Sequence, residues 1–213
     1  MTAEQSFNLS REKGNAEYTP RLSFVSNLTW DLPIGQGGMV LNSGNLVSKL
    51  IGGWKISGAY LSSTGDYLTP TFDGDSPSNT SPIYGSNTPN RVLKSLAPVG
   101  ARSIFNWFNP AAFAIPAAGT FGHGAFGSIE GPDMNTVNAA LFKSFPVYRT
   151  MHVEFRASFT NILNHPNFGD PIVDLSVAPT TGFPGEGVGQ IAGTTGKSFA
   201  GPRSGLLSAR FVF

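Results

Sequence analysis

The amino-acid sequence predicts an all-β chain: an antiparallel up-and-down meander of about five long strands, joined by connections of very unequal length. Three observations predict it. Apolar and polar side chains alternate with period two over extended stretches, as on a strand with two differently solvated faces. The clear stretches run 10 to 14 residues, where an average strand of a soluble protein has about 5–6. The links between them alternate short with long, and the long ones are dense in Gly, Pro, Asn, Ser and Thr. Composition points the same way. The 26 Gly and 16 Pro among 213 residues disfavour helices, and a charged fraction of 13% is about half that of an ordinary soluble chain. The length suits one domain, or two at most.

The first strand is read at residues 21–32, with Leu22, Phe24, Ser26, Leu28, Trp30 and Leu32 on one face and Arg21, Ser23, Val25, Asn27, Thr29 and Asp31 on the other. The second, at 54–64, sets Trp54, Ile56, Gly58 and Tyr60 against Lys55 and Ser57. The third, at 137–145, groups Val137, Ala139, Leu141 and Phe145, but places Lys143 on that same apolar face. A bulge or an interfacial position accommodates such a lysine. The fourth, at 151–164, separates Met151, Val153, Phe155, Ala157, Phe159, Asn161 and Leu163 from His152, Glu154, Arg156, Ser158, Thr160, Ile162 and Asn164. A helix would scatter His152, Glu154 and Arg156 around its circumference, whereas a strand stacks them on one side. The fifth, at 204–213, faces Leu207, Ala209, Phe211 and Phe213 away from Ser208, Arg210 and Val212.

These lengths suit a membrane. A tilted strand crossing a bilayer needs ~9–11 residues, and barrels of the outer-membrane type have short periplasmic turns and long external loops. The link 146–150 is five residues, while the loops 66–136 and 165–203 are 71 and 39 residues. With Phe213 on the periplasmic side, counting back through antiparallel strands puts 146–150 in the periplasm and both long loops outside. The link 33–53 also becomes periplasmic, and its Gly35, Gly37 and Gly38 are read as a hairpin tip between extended strand ends. Trp30, Trp54, Phe145, Tyr148 and Phe213 then share one membrane edge, as an aromatic girdle requires. Closed barrels of this kind begin at about eight strands, and an unpaired edge in lipid costs several kcal/mol per group. Residues 1–213 are therefore expected to be the C-terminal part of one larger barrel domain in the bacterial outer membrane, an open segment whose partners are lipid and the strands it lacks.

Other chemistry finds little support. A net charge of +1 without a Lys or Arg run leaves no basic footprint for nucleic acid. Zero Cys removes disulfides, thiolate metal sites and thiol nucleophiles. No stretch is long and apolar enough for a transmembrane helix, and residues 1–17 carry no apolar signal-peptide core. Gly122-His-Gly124-Ala-Phe-Gly127 matches G-x-G-x-x-G, but lacks the flanking strand and helix of a dinucleotide site. Gly196-Lys197-Ser198 ends like a phosphate loop, yet Ile191 stands where the earlier Gly belongs. Asp73-Gly74-Asp75-Ser76 offers oxygen ligands without the rest of a calcium loop. His123, His152 and His165 form no local motif, and no catalytic constellation is present. The chain is read as non-enzymatic, with no catalytic, cofactor or metal residue. Glu154, Arg156 and Arg210 project to the lumen side of neighbouring strands, as a charge network, a contact for a lumenal segment, or simply solvated groups. Trp107, Phe108 and Phe113 form an apolar cluster within a loop, read as a contact site or as rings folded back over the barrel mouth.

Several strings together carry a family likeness: Arg102-Ser-Ile-Phe-Asn-Trp107-Phe108-Asn109-Pro110-Ala-Ala-Phe113, then Gly119-Thr-Phe-Gly122, Gly131-Pro132, Phe155-Arg156, Asn161-Ile-Leu-Asn164-His165-Pro166-Asn167-Phe168-Gly169 and a terminal Arg210-Phe211-Val212-Phe213. Over about residues 18–213 the chain resembles the C-terminal barrel region of TonB-dependent receptors, most closely the Oar-like set that carries a carboxypeptidase-regulatory-like domain. The resemblance implies a barrel of about 22 strands, with an N-terminal plug and a TonB complex of the inner membrane as partners through regions outside this sequence. It implies import of a bulky nutrient such as a metal chelate or glycan. It also implies that the barrel-assembly machinery reads Phe211 and Phe213 as an end signal, although Ser208 stands where that signal usually has Gly. A secreted soluble β-sandwich binding module and a simple pore or adhesion barrel are the alternatives.

Overall fold

The computed structural model describes residues 8, 10, 13–35, 37–74, 77, 87–178, 185–195 and 200–213. In chain order its elements are β1 (Ser23–Asp31), α1 (Leu46–Ile51), β2 (Trp54–Ser63), β3 (Tyr67–Leu68), β4 (Asn90–Arg91), a 3-10 turn (Pro110–Ala112), β5 (Phe113–Ala114), β6 (Ile129–Glu130), β7 (Met134–Tyr148), β8 (Met151–Thr160) and β9 (Ser204–Val212). They fall into two compact units. The strand unit comprises Ser23–Ser63, Met134–Asn167 and Gly196–Phe213; the loop unit comprises Met1–Leu22, Thr64–Asp133 and Phe168–Thr195.

The strand unit is a single antiparallel sheet in the order β1-β2-β7-β8-β9, so the all-β meander read from the sequence is the fold. Its register makes the two faces continuous. Trp30 lies opposite Ile56, Ile56 opposite Leu141, Leu141 opposite Ala157 and Ala157 opposite Leu207, so the alternation of each strand adds to one apolar face. The other face carries Asp31, Lys55, Glu154, Arg156 and Arg210, all the charged side chains of the five strands except Lys143. Among the described residues β1 and β9 are each paired along one edge only, so the sheet is open.

Three boundaries differ from the sequence reading, each for a local reason. β7 runs from Met134 to Tyr148 rather than 137–145, leaving Arg149 and Thr150 as the turn, with Arg149 at φ 46°. Pro146 is tolerated within β7 because the register shifts between it and Tyr148, and a strand accepts a missing N–H at a bulge. β8 stops at Thr160 instead of 164, because Asn161 turns into the left-handed region at φ 48°. The link 33–53 is not a hairpin tip with extended strand ends. Ile34 bridges Val40, and Asn45 caps α1 by accepting from the Ser48 N–H at 2.9 Å. Gly35, at φ 97°, packs on Gly52, where an added Cβ would lie 2.4 Å from the Gly52 Cα.

The loop unit has a core of its own. β3 pairs with β6 and β4 with β5, both antiparallel, and Leu68, Phe108, Ala112, Phe113, Ala125 and Ile129 are buried together. Phe108 and Phe113 meet edge to face, with ring centroids 6.1 Å apart, a favoured aromatic geometry. The G-x-G-x-x-G string serves this packing. A Cβ at Gly122 would sit 1.7 Å from the Thr88 carbonyl oxygen, and the string leads into β6 rather than a helix.

Candidate functional site

On the polar face of the strand unit, Glu154 stands directly opposite Arg210, and Arg156 opposite Ser208. Among the described residues the Glu154 carboxylate lies 3.4 Å from His152 Nε2, and no ion pair reaches Arg210. Arg156 donates from Nε to the Ser158 hydroxyl at 3.0 Å, and Lys55 pairs with Asp31 at 3.2 Å near the turn end of β1 and β2. The three residues expected as a network thus share one face of β8 and β9, with Glu154 and Arg156 contacting other neighbours. Such a face, polar and sparsely paired, suits a water-filled lumen.

The apolar face carries the expected aromatics at one end of the strands. Trp54 makes edge contacts with Phe145 and Phe155, at 6.3 and 6.2 Å. Phe211 and Phe213 stack at 6.3 Å, Tyr148 closes β7 beside the turn with the Arg149 guanidinium 5.2 Å from its ring, and Trp30 is exposed. Towards the opposite end the same face turns polar: Tyr60 and Ser62 both donate to Asn135 Oδ1, at 3.1 and 2.8 Å. The face is therefore apolar in the middle, aromatic at one border and hydrogen-bonding at the other.

Lys143, the misfit of the sequence, lies on this apolar face in unbroken register opposite Trp54 and Phe155, so no bulge removes it. It is only 2% exposed. Its Nζ donates to the carbonyls of Lys49 at 2.8 Å, Leu50 at 2.6 Å and Gly52, and sits 4.6 Å from the Phe145 ring centroid. A buried ammonium with three acceptors and an aromatic face is a satisfied one.

The Asn161–Asn167 string, which the sequence reading divided between the end of the fourth strand and a turn at His165, proves to be a clasp at the far end of β8. Asn161 Nδ2 donates to the carbonyls of His165 and Gly201, and its Oδ1 accepts from the His165 N–H, at 2.9, 2.9 and 3.0 Å. Asn167 Nδ2 donates to Thr136 Oγ1 and the Ala200 carbonyl, both at 3.2 Å, and its Oδ1 accepts from the Asn135 N–H at 2.7 Å. Both side chains are buried, so the start of β7, the end of β8 and the approach to β9 share one set of hydrogen bonds. Asn at left-handed positions is the sequence signal that marks such a turn.

In the loop unit, Arg91, Arg102, Trp107, Phe108, Ile129 and Glu130 line a cavity of about 270 Å³. The Trp107 indole N–H donates to the Glu130 carbonyl at 2.8 Å, which fixes the ring. The Arg102 guanidinium lies 4.9 Å from its centroid. Arg91 is tied down by the carbonyls of Leu93 and Lys94. A guanidinium held over an indole presents flat apolar surface and N–H donors together, a combination suited to a polar ring or a carboxylate. Phe108 and Phe113, in the core, are not an exposed contact site. Asp75, Ser76 and residues 196–198 lie outside the described residues, and no group of three His, Asp or Glu residues that could hold a metal is found among the described ones.

A sheet with an apolar outer face, an aromatic border and charges gathered on the reverse face is a membrane-barrel sheet. The comparison with protein families gives the same class: the model for the outer membrane beta barrel domain matches residues 1–204. The chain belongs to that family and resides in the bacterial outer membrane, which overturns the soluble β-sandwich alternative. Comparison with curated proteins and with solved structures finds no match.

Proposed function

We propose that this barrel chain is the C-terminal portion of a TonB-dependent receptor of the Oar-like kind, a non-enzymatic importer of a bulky nutrient such as a metal chelate or glycan. The observation that carries the reading is the folding of the long connections. The described residues within 64–133 and 168–195 form a packed unit, and it holds a cavity with Arg102 over Trp107. Both connections leave the strands at the end opposite the Arg149–Thr150 turn, the external end in a barrel of this class. A receptor needs a shaped external surface, which a loose loop does not provide. In this reading the strand unit supplies the wall, the polar face lines the route, and Phe211 and Phe213 form the end signal for the barrel-assembly machinery. The plug and the contact with the TonB complex belong to the rest of the protein.

The test is growth of a strain deleted for the gene, supplied with ferric chelates or oligosaccharides one class at a time as the limiting nutrient. The expected outcome is loss of growth on one class, reproduced when the energising inner-membrane complex is disabled in the parent strain. Uptake that survives that second lesion is the mark of a passive pore and overturns the receptor reading.

A further inference from the structure

The segment 39–51 of the strand unit is an apolar surface outside the strands. Met39, Leu46, Val47, Leu50 and Ile51 are all exposed, Leu46 at 76% and Leu50 at 61%. No acidic residue stands between Asp31 and Trp54, and Lys49 is the sole cation there. Water is a poor solvent for such a surface, and contiguous exposed apolar area marks a contact.

Lys143 fixes where the segment lies. Its hydrogen bonds go to the C-terminal carbonyls of α1 and to Gly52, the end of a helix where unpaired carbonyls and the dipole favour a cation. The lysine itself projects from the apolar face of β7, the middle strand of five, and its ammonium is 5.2 Å from the Trp54 ring centroid. α1 is therefore held on the lipid-facing side, level with the aromatic border. Further strands can pair only at β1 or β9, which extends the sheet sideways and leaves the outer face over β7 uncovered.

We infer that residues 39–51 are an interfacial lipid anchor. The Leu, Val and Ile side chains of α1 enter the boundary between headgroups and acyl chains in the leaflet at the turn end of the strands. Lys49 reaches anionic phospholipid headgroups, and Lys143 is the latch that keeps the segment on the barrel wall. Phospholipid is the occupant because the surface is continuous with the lipid-facing sheet and carries only positive charge, the pattern of helices that lie in a membrane interface. This inference rests on the outer-membrane family and is independent of any transported ligand.

The chain has no cysteine, so a spin label at Val47→Cys or Leu50→Cys is unique in this region. The full gene product, folded into vesicles of phosphatidylethanolamine and phosphatidylglycerol, is expected to show high collision with oxygen and low collision with a water-soluble nickel chelate at both sites. Free access of the chelate overturns the anchor. Protection from both reagents also overturns it, since protein then covers the segment, whether a second copy or a periplasmic partner. In the Leu50→Cys background, Lys143→Met is expected to restore chelate access while the protein keeps its heat-modifiable gel mobility, and Lys143→Arg is expected to retain protection. Unchanged protection in Lys143→Met removes the latch. The label readings on the chain with Lys143 intact decide the anchor whether or not that variant folds.

Discussion

The two units treat the same residue type in opposite ways. In the strand unit Phe24 is 58% exposed, while in the loop unit Phe108 is 2% exposed. Neither is anomalous. The loop unit buries its apolar side chains against one another, as a water-soluble domain does. The strand unit turns them outward because hydrocarbon takes the place of a core, and it hides backbone polarity in the sheet ladder instead. Hydrophobicity alone therefore does not identify inside and outside on this chain; the solvent on each face does.

The contrast can be broken at several points. Phe108→Ala removes the central ring of the loop core and is expected to cost about 3–5 kcal/mol there. Hydrogen exchange across 64–133 in the folded protein measures it, with heat-modifiable mobility unchanged because the strand unit does not use that core. Leu28→Arg, on the apolar face near mid-strand, is expected to cost about 2–4 kcal/mol in urea titrations into vesicles. Asn27→Arg, one residue along and on the reverse face, is expected to stay within about 0.5 kcal/mol. Equal costs at the two positions would falsify the outward orientation. Asn161→Ala is expected to lose about 2 kcal/mol, since the three hydrogen bonds of a buried side chain are lost together. Asn161→Gly, which suits the positive φ, keeps most of that loss if the hydrogen bonds are its source. Smallest of all, a double-mutant cycle between Glu154 and Arg210 is expected to give a coupling under about 0.5 kcal/mol, because no ion pair joins them.

The strands were legible because period two is written residue by residue: the faces listing Phe24, Leu28 and Trp30, or Val153, Phe155 and Ala157, appear in the sheet as read. Lys143 was legible as an exception, though not its solution, since its partners are backbone carbonyls some 90 residues earlier. α1 has only six residues, too few for a periodic window, yet Asn45 before it and Gly52 after it are the cap signals that could have marked it. The loop unit was the least legible. Its packing depends on backbones that touch where side chains are missing, as at Gly65, where a Cβ would lie 1.8 Å from the Gly131 carbonyl oxygen. Contacts of that kind leave no alternation in the sequence. The Trp107 cavity was likewise visible only as an aromatic cluster, because Arg91 and Glu130 reach it from distant β4 and β6.

The order β1-β2-β7-β8-β9 contains an odd number of antiparallel strands, so its two outermost members point the same way. Joined directly to each other they would have to form a parallel pair, which a barrel of alternating direction does not contain. Parity thus makes the wall complete only when an odd number of additional crossings is inserted between them, and the first and last of those crossings must both run opposite to β1 and β9.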